Sequence, residues 1–184
     1  ELLLITSSEF KPIWWLGNPH LQTLWPVWFG KKQLDGRSER LELEDGDFLD
    51  LRWFDDDGPL VVVVHGLEGS IDSHYAGAMM KALQEYGFHG LFMHLRGCSG
   101  EPNRLDRSYH SGETGDLAAV VRHAARVASK PVFAMIGYSL GANALLKWLG
   151  EEGGQPPMQR AVAVSVPFQL GDAARKLSTG FSRL

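Results

Sequence analysis

A formal net charge of −4 over 184 residues, with Lys and Arg scattered along the chain, leaves no basic surface for nucleic acid or an anionic membrane. An apolar share of 44% against 22% charged residues is that of an ordinary globular protein, long enough for one domain with a real core. A single cysteine, Cys98, excludes an internal disulfide and fits a reducing compartment, so a cytoplasmic location is expected.

Residues 1–30 hold Trp14, Trp15, Trp25 and Trp28, four of the six tryptophans, and form a Trp-rich N-terminal arm. Indoles suit half-buried surfaces, so the arm is expected to pack over a sheet edge or to offer a lipid- or substrate-contacting surface. Residues 12–29 are too broken by Gly17, Asn18, Pro19, His20, Gln22 and Pro26 to span a bilayer, and Leu2-Leu3-Leu4-Ile5 is too short for a signal-peptide core. No transmembrane segment is expected. From Arg40 the pattern changes: Leu41 and Leu43, then Leu49, Leu51 and Trp53, alternate with polar residues around Asp45-Gly46-Asp47 and predict an antiparallel hairpin. The uninterrupted apolar residues 60–64, a leucine and four β-branched valines, predict a parallel strand covered on both faces. A βα rhythm follows, with a helix over 74–86, a strand over 88–95, a helix over 113–129, a strand over 131–136, a helix ending near 150 and a sixth strand over 161–166. Two antiparallel strands followed by alternating strands and helices give an α/β core over residues 31–170, a mostly parallel sheet of about six strands with helices on both faces.

Within that core, Gly137-Tyr138-Ser139-Leu140-Gly141 joins an apolar strand to a helix-forming run. A strand, a tight G-x-S-x-G turn and a helix is the signature of a nucleophile elbow, which makes Ser139 the candidate nucleophile. Elbow enzymes place the remaining triad residues downstream, in the order Ser, Asp or Glu, His. After Ser139 the only aspartate is Asp172, and all seven histidines (20, 65, 74, 89, 94, 110 and 123) precede it. The nucleophile lacks its usual base.

Acyl transfer through a tetrahedral oxyanion also needs two preorganised donors. The natural pair is the backbone N–H of Leu140, directly after the serine, and that of Leu67 in His65-Gly66-Leu67-Glu68-Gly69-Ser70, at the end of the Val-rich strand. His65 reads as a structural hydrogen-bonder or a substitute base, and His110 as a loop anchor or a second substitute. Glu113 and Asp116 fall in the first turn of a helix, where the helix dipole accounts for acids. Cys98 lies in a polar, glycine-rich turn and reads as a free structural thiol. Metal-ligand spacings and phosphate-loop patterns are both missing, so no metal or other cofactor is expected.

Five blocks in order resemble the YheT-like branch of the α/β-hydrolases, which contains bacterial esterases and related eukaryotic lipases and medium-chain esterases. They are Gly17-Asn18-Pro19-His20-Leu21-Gln22-Thr23-Leu24-Trp25-Pro26, the His65–Ser70 block, Arg96-Gly97-Cys98-Ser99-Gly100, Tyr109-His110-Ser111-Gly112-Glu113-Thr114 and the elbow. The resemblance covers about residues 10–170. It implies an α/β-hydrolase fold, Ser139 as nucleophile, and Leu67 and Leu140 as oxyanion donors. It also implies that members continue through a cap-like helical region, whose start residues 171–184 resemble, and through two strands bearing the triad Asp and His. Residues 1–184 alone are then expected to be poorly active, and strand 161–166 to be an open edge that invites pairing. The expected activity is serine carboxylesterase-type hydrolysis of small-molecule acyl esters through an acyl-enzyme. An acyltransferase or thioesterase using the same nucleophile, or a non-catalytic half-hydrolase binding a partner chain or apolar ligand, are the alternatives.

Overall fold

Leu60–Val64 is the centre of the sheet, and its five consecutive β-branched or leucyl side chains are all buried. Only a strand covered on both faces can bury such a run, because successive side chains point to opposite sides. In the computed structural model, which describes residues 9–18, 20–22, 25, 35–54, 57–155 and 157–178, both faces are indeed covered. The strands are β1 (Arg37–Glu42), β2 (Phe48–Phe54), β3 (Leu60–Val64), β4 (His89–Met93), β5 (Val132–Tyr138) and β6 (Arg160–Val164). The helices are α1 (Ala76–Glu85), α2 (Gly115–Val127), α3 (Leu140–Glu152) and α4 (Leu170–Leu177). Leu60, Val62 and Val64 pack with Leu117, Val120 and Ala124 of α2 and Leu145 and Trp148 of α3. Val61 and Val63 pack with Ala76, Met80 and Leu83 of α1 on the opposite face.

The six strands lie in the order β1-β2-β4-β3-β5-β6. β1 and β2 form the expected antiparallel hairpin, with Leu41 opposite Leu49, and β2 joins β4 antiparallel. β4, β3, β5 and β6 run parallel, so the carboxyl ends of β3, β4 and β5 open on one side, where ligands bind in open α/β sheets. The expected α/β-hydrolase class and strand number hold.

Several boundaries shift by one to two residues: the expected strands over 88–95 and 131–136 are His89–Met93 and Val132–Tyr138, and the expected helices over 74–86 and 113–129 are Ala76–Glu85 and Gly115–Val127. The sixth strand is Arg160–Val164 rather than 161–166, because Ser165 takes a left-handed φ of 53° that ends the ladder. Among the described residues β6 pairs only with β5, and Val162 remains 47% exposed. In the arm, Trp14–Leu16 forms a short 3₁₀ turn and Trp15 packs edge-on against Trp25, with ring centroids 4.6 Å apart. Trp14 is largely exposed. Trp28 and Leu2–Ile5 lie outside the described residues. No helix among the described residues is long and apolar enough to cross a membrane.

Candidate active site

β5 delivers Ser139 directly into the first turn of α3, and the turn is tight enough to force an unusual backbone. Ser139 sits at φ 51° and ψ −113°, a conformation that L-residues rarely adopt and that recurs where function requires it. Two bonds hold it there: the Ser139 N–H donates to the Val164 carbonyl at 2.8 Å, and the Asn143 N–H donates to the Ser139 carbonyl at 3.0 Å. The flanking glycines follow from close approach. A Cβ on Gly137 would stand 2.6 Å from the Ala142 Cα, and one on Gly141 would stand 2.3 Å from the His65 carbonyl oxygen. Gly141 therefore lets α3 seat against the end of β3, bringing the His65-Gly66-Leu67 turn beside the serine. A Cβ on Gly66 would lie 3.0 Å from the Ser139 Cβ.

That turn is bonded throughout, with one exception. The N–H of Gly66 donates to the Tyr75 hydroxyl, Glu68 to the Tyr109 hydroxyl, Gly69 to the Gly66 carbonyl and Ser70 to the Ser73 Oγ. Ile71 donates to His94 Nε2 and Asp72 to the Ser70 Oγ. The Leu67 N–H finds no acceptor among the described residues. Nor does that of Leu140, one of the N–H groups that a helix N-terminus leaves without an intrahelical partner. Both residues line one cavity of about 1100 Å³, whose walls include Arg40, Asp50, Cys98 and Tyr109. Ser139 is not part of its lining; it stands beside Leu140, with no hydrogen-bond partner for its Oγ among the described residues.

His65 explains why the Leu67 N–H faces outward. The ring is fully buried, and its Nε2 accepts from the Leu95 N–H at 2.9 Å, so the proton must sit on Nδ1. Nδ1 then donates to the Gly66 carbonyl at 2.6 Å. The Gly66 carbonyl and the Leu67 N–H belong to one trans peptide unit and point in opposite directions. Tying the carbonyl to the buried imidazole turns the N–H away from it. Burial lowers His65 to about pKa 4, against a smaller opposing effect of the Gly66 carbonyl. His65 is thus a neutral ring with both nitrogens committed to backbone, unsuited to proton transfer at neutral pH. His94 is arranged alike, accepting from Ile71 and donating from Nδ1 to the Asp50 carbonyl at 2.9 Å, and burial lowers its pKa too.

These shifts predict an acid weakness. An unfolded histidine titrates near 6.5, whereas folded His65 resists protonation down to about 4. Below pH 6.5 the unfolded chain binds a proton that the folded chain refuses, so stability falls as pH drops. Between pH 6.5 and 5 the loss from His65 is on the order of 2 kcal/mol. Urea midpoints measured at both pH values should show this slope, and His65→Asn should flatten it. An unchanged slope would refute the assignment.

Other sequence candidates fall elsewhere. His110 is exposed, and its Nδ1 accepts from the Gly112 N–H at 3.1 Å. Burial pushes the Cys98 thiol up, partly offset by the Tyr109 hydroxyl, which disfavours a thiolate. Asp116 is more than a helix-dipole acid: both its oxygens accept from Arg96 at 2.8 Å. Tyr75 and Tyr109 are the site groups that sequence reasoning missed; Tyr109 stands in a conspicuous block, but no periodicity links a tyrosine to a backbone N–H 41 residues away.

A family profile described as the alpha/beta hydrolase fold matches residues 59–184. The chain is 44% identical to the protein named "Putative esterase YheT" of Escherichia coli K12, over 97% of its own length and 54% of the relative's. It is 31% identical to the embryogenesis-associated protein EMB8 of Picea glauca, covering 91% of itself and 40% of that protein. The chain therefore spans about half the length of the curated relatives it matches. Among solved structures, the Pyrococcus furiosus esterase Pf2001 superposes with a TM-score of 0.67 over 91% of this chain and 62% of that one; at 22% identity the likeness concerns the fold. The chain belongs to the α/β-hydrolase family, in its YheT-like branch.

Proposed function

We propose that this chain carries the nucleophile and oxyanion hole of a serine carboxylesterase-type hydrolase acting on small-molecule acyl esters. The observation that carries the reading is the pair of N–H groups, Leu67 and Leu140, that find no acceptor among the described residues and line one cavity beside a serine held at a left-handed φ. In this reading the Ser139 Oγ attacks the ester carbonyl as a base removes its proton, and the two N–H groups take the developing oxyanion. The tetrahedral species collapses by expelling the alcohol, which leaves with a proton from the conjugate acid of that base. Water then attacks the acyl-serine by the same route.

The base is assigned to a histidine, with its orienting aspartate, outside residues 1–184. His65 and His94 commit both ring nitrogens to backbone, which supports that assignment. The side of β6 that pairs with no strand among the described residues suits a further strand of the same polypeptide, which would cover that edge.

The test is covalent. A fluorophosphonate should label the full-length polypeptide once, at Ser139 by peptide mass spectrometry, and the label should vanish in Ser139→Ala. Labelling at another residue would refute the reading. Relative rates of hydrolysis and alcoholysis on one acyl ester then separate an esterase from an acyltransferase.

A further inference from the structure

We infer that the hydroxyls of Tyr75 and Tyr109 are positioning groups for the oxyanion loop, bracing the peptide units on either side of the one that presents the Leu67 N–H. The inference rests on the reading of Ser139 as nucleophile and Leu67 as oxyanion donor.

Three consecutive peptide units are involved, and each is tied by a different element. The first carries the Gly66 N–H, which donates to the Tyr75 hydroxyl at 3.2 Å. The second carries the Gly66 carbonyl and the Leu67 N–H, tied through that carbonyl to His65. The third carries the Glu68 N–H, which donates to the Tyr109 hydroxyl at 2.7 Å. Tying only the middle unit would leave it free to rock about its neighbours, since each Cα is a pair of soft torsions. The third unit most needs a tie, because Glu68 itself sits at φ 51°, where a non-glycine residue stays only if its surroundings hold it.

The two tyrosines reach the loop from separate directions. Tyr75 caps α1, and its ring lies against that of Tyr138 with centroids 4.3 Å apart, so one side chain touches both the oxyanion loop and the residue before Ser139. Tyr109 comes from the segment between β4 and α2 and lines the cavity. Burial pushes its hydroxyl up to about 12, which keeps it neutral at ordinary pH. A positioning group of this kind matters most once charge develops on the substrate oxygen, because a preorganised donor needs no reorientation at that moment. Its removal should therefore reduce kcat and leave KM alone.

The experiment uses the full-length polypeptide, a p-nitrophenyl ester as substrate and an alkyl trifluoromethyl ketone as a tetrahedral-adduct inhibitor. Tyr109→Phe and Tyr75→Phe each delete one oxygen and keep the ring. Each should lower kcat about 10-fold, less than the 10²–10³ lost when an oxyanion donor is deleted outright, with KM within about twofold. The ketone should weaken by the same factor as kcat. Unchanged kcat in both variants, a loss confined to KM, or undiminished ketone affinity overturns the inference. Turnover that survives Ser139→Ala overturns the nucleophile reading, and the inference with it. Because the tyrosines lie on separate elements, either variant carries the test if the other does not fold.

Discussion

Ser139→Ala and Ser139→Gly should both cost the full-length polypeptide about 10⁴-fold or more in ester turnover, yet they should differ in stability. The Ser139 backbone lies at φ 51° and ψ −113°, beyond even the left-handed helical basin. Alanine keeps the Cβ that makes this conformation costly, so Ser139→Ala should unfold at nearly the wild-type urea concentration. Glycine removes the Cβ, and strain of this kind is worth about 1–3 kcal/mol. Glycine's greater freedom in the unfolded chain offsets part of that gain, leaving a net stabilisation of about 1 kcal/mol. A dead enzyme more stable than its parent would be the thermodynamic trace of a residue held in place for chemistry. Ser139→Gly less stable than Ser139→Ala, by the roughly 0.4–1 kcal/mol that glycine's unfolded freedom costs, would show that the elbow stores no strain.

Much of the frame was legible because local pattern and tertiary role coincide. The Val-rich run 60–64 is the central strand residue for residue, since turn residues bound it on both sides and nothing but a two-sided core can hold it. The G-x-S-x-G turn is legible for a similar reason: Gly137 and Gly141 are fixed by backbone contacts inside the motif and with the adjoining strand. The end of the sixth strand was not, because nothing in Val164-Ser165-Val166 announces a left-handed serine. Nor were the groups that finish the site. The outward turn of the Leu67 N–H depends on Leu95 supplying the donor that fixes the His65 tautomer, 30 residues away. The partners of Arg96 likewise come from Asp45 and Asp47, in the turn between β1 and β2, and from Asp116 on α2, which only the tertiary packing brings together.

Arg96→Leu should destabilise the protein by about 3–5 kcal/mol at neutral pH. Arg96 is 4% exposed, and its guanidinium forks onto both oxygens of Asp116 while reaching Asp47 at 2.9 Å. Asp47 is fully buried, and leucine would strand it without its cation. Burial alone pushes the Asp47 carboxyl up, but hydrogen bonds from Asn103, the Arg104 and Phe48 backbone and Arg96 hold it below the usual aspartate value. A carboxylate lowered in this way stabilises the fold above its unfolded pKa and loses that contribution as pH falls through the folded value. Without Arg96, Asp47 should take up a proton at higher pH, so the deficit of Arg96→Leu should be widest near pH 7.5 and narrower near pH 5. Arg96→Lys keeps the charge but cannot make the fork, and should fall between the two. Urea unfolding of the three proteins at both pH values decides the matter, and a deficit below about 1 kcal/mol, the range of exposed pairs, would show that the cluster is not a buried unit. Because Arg96 opens the segment that brings Tyr109 to Glu68, the same variant should also lower kcat while it is still folded. The ion pair that secures the loop after β4 would then also hold the oxyanion turn after β3.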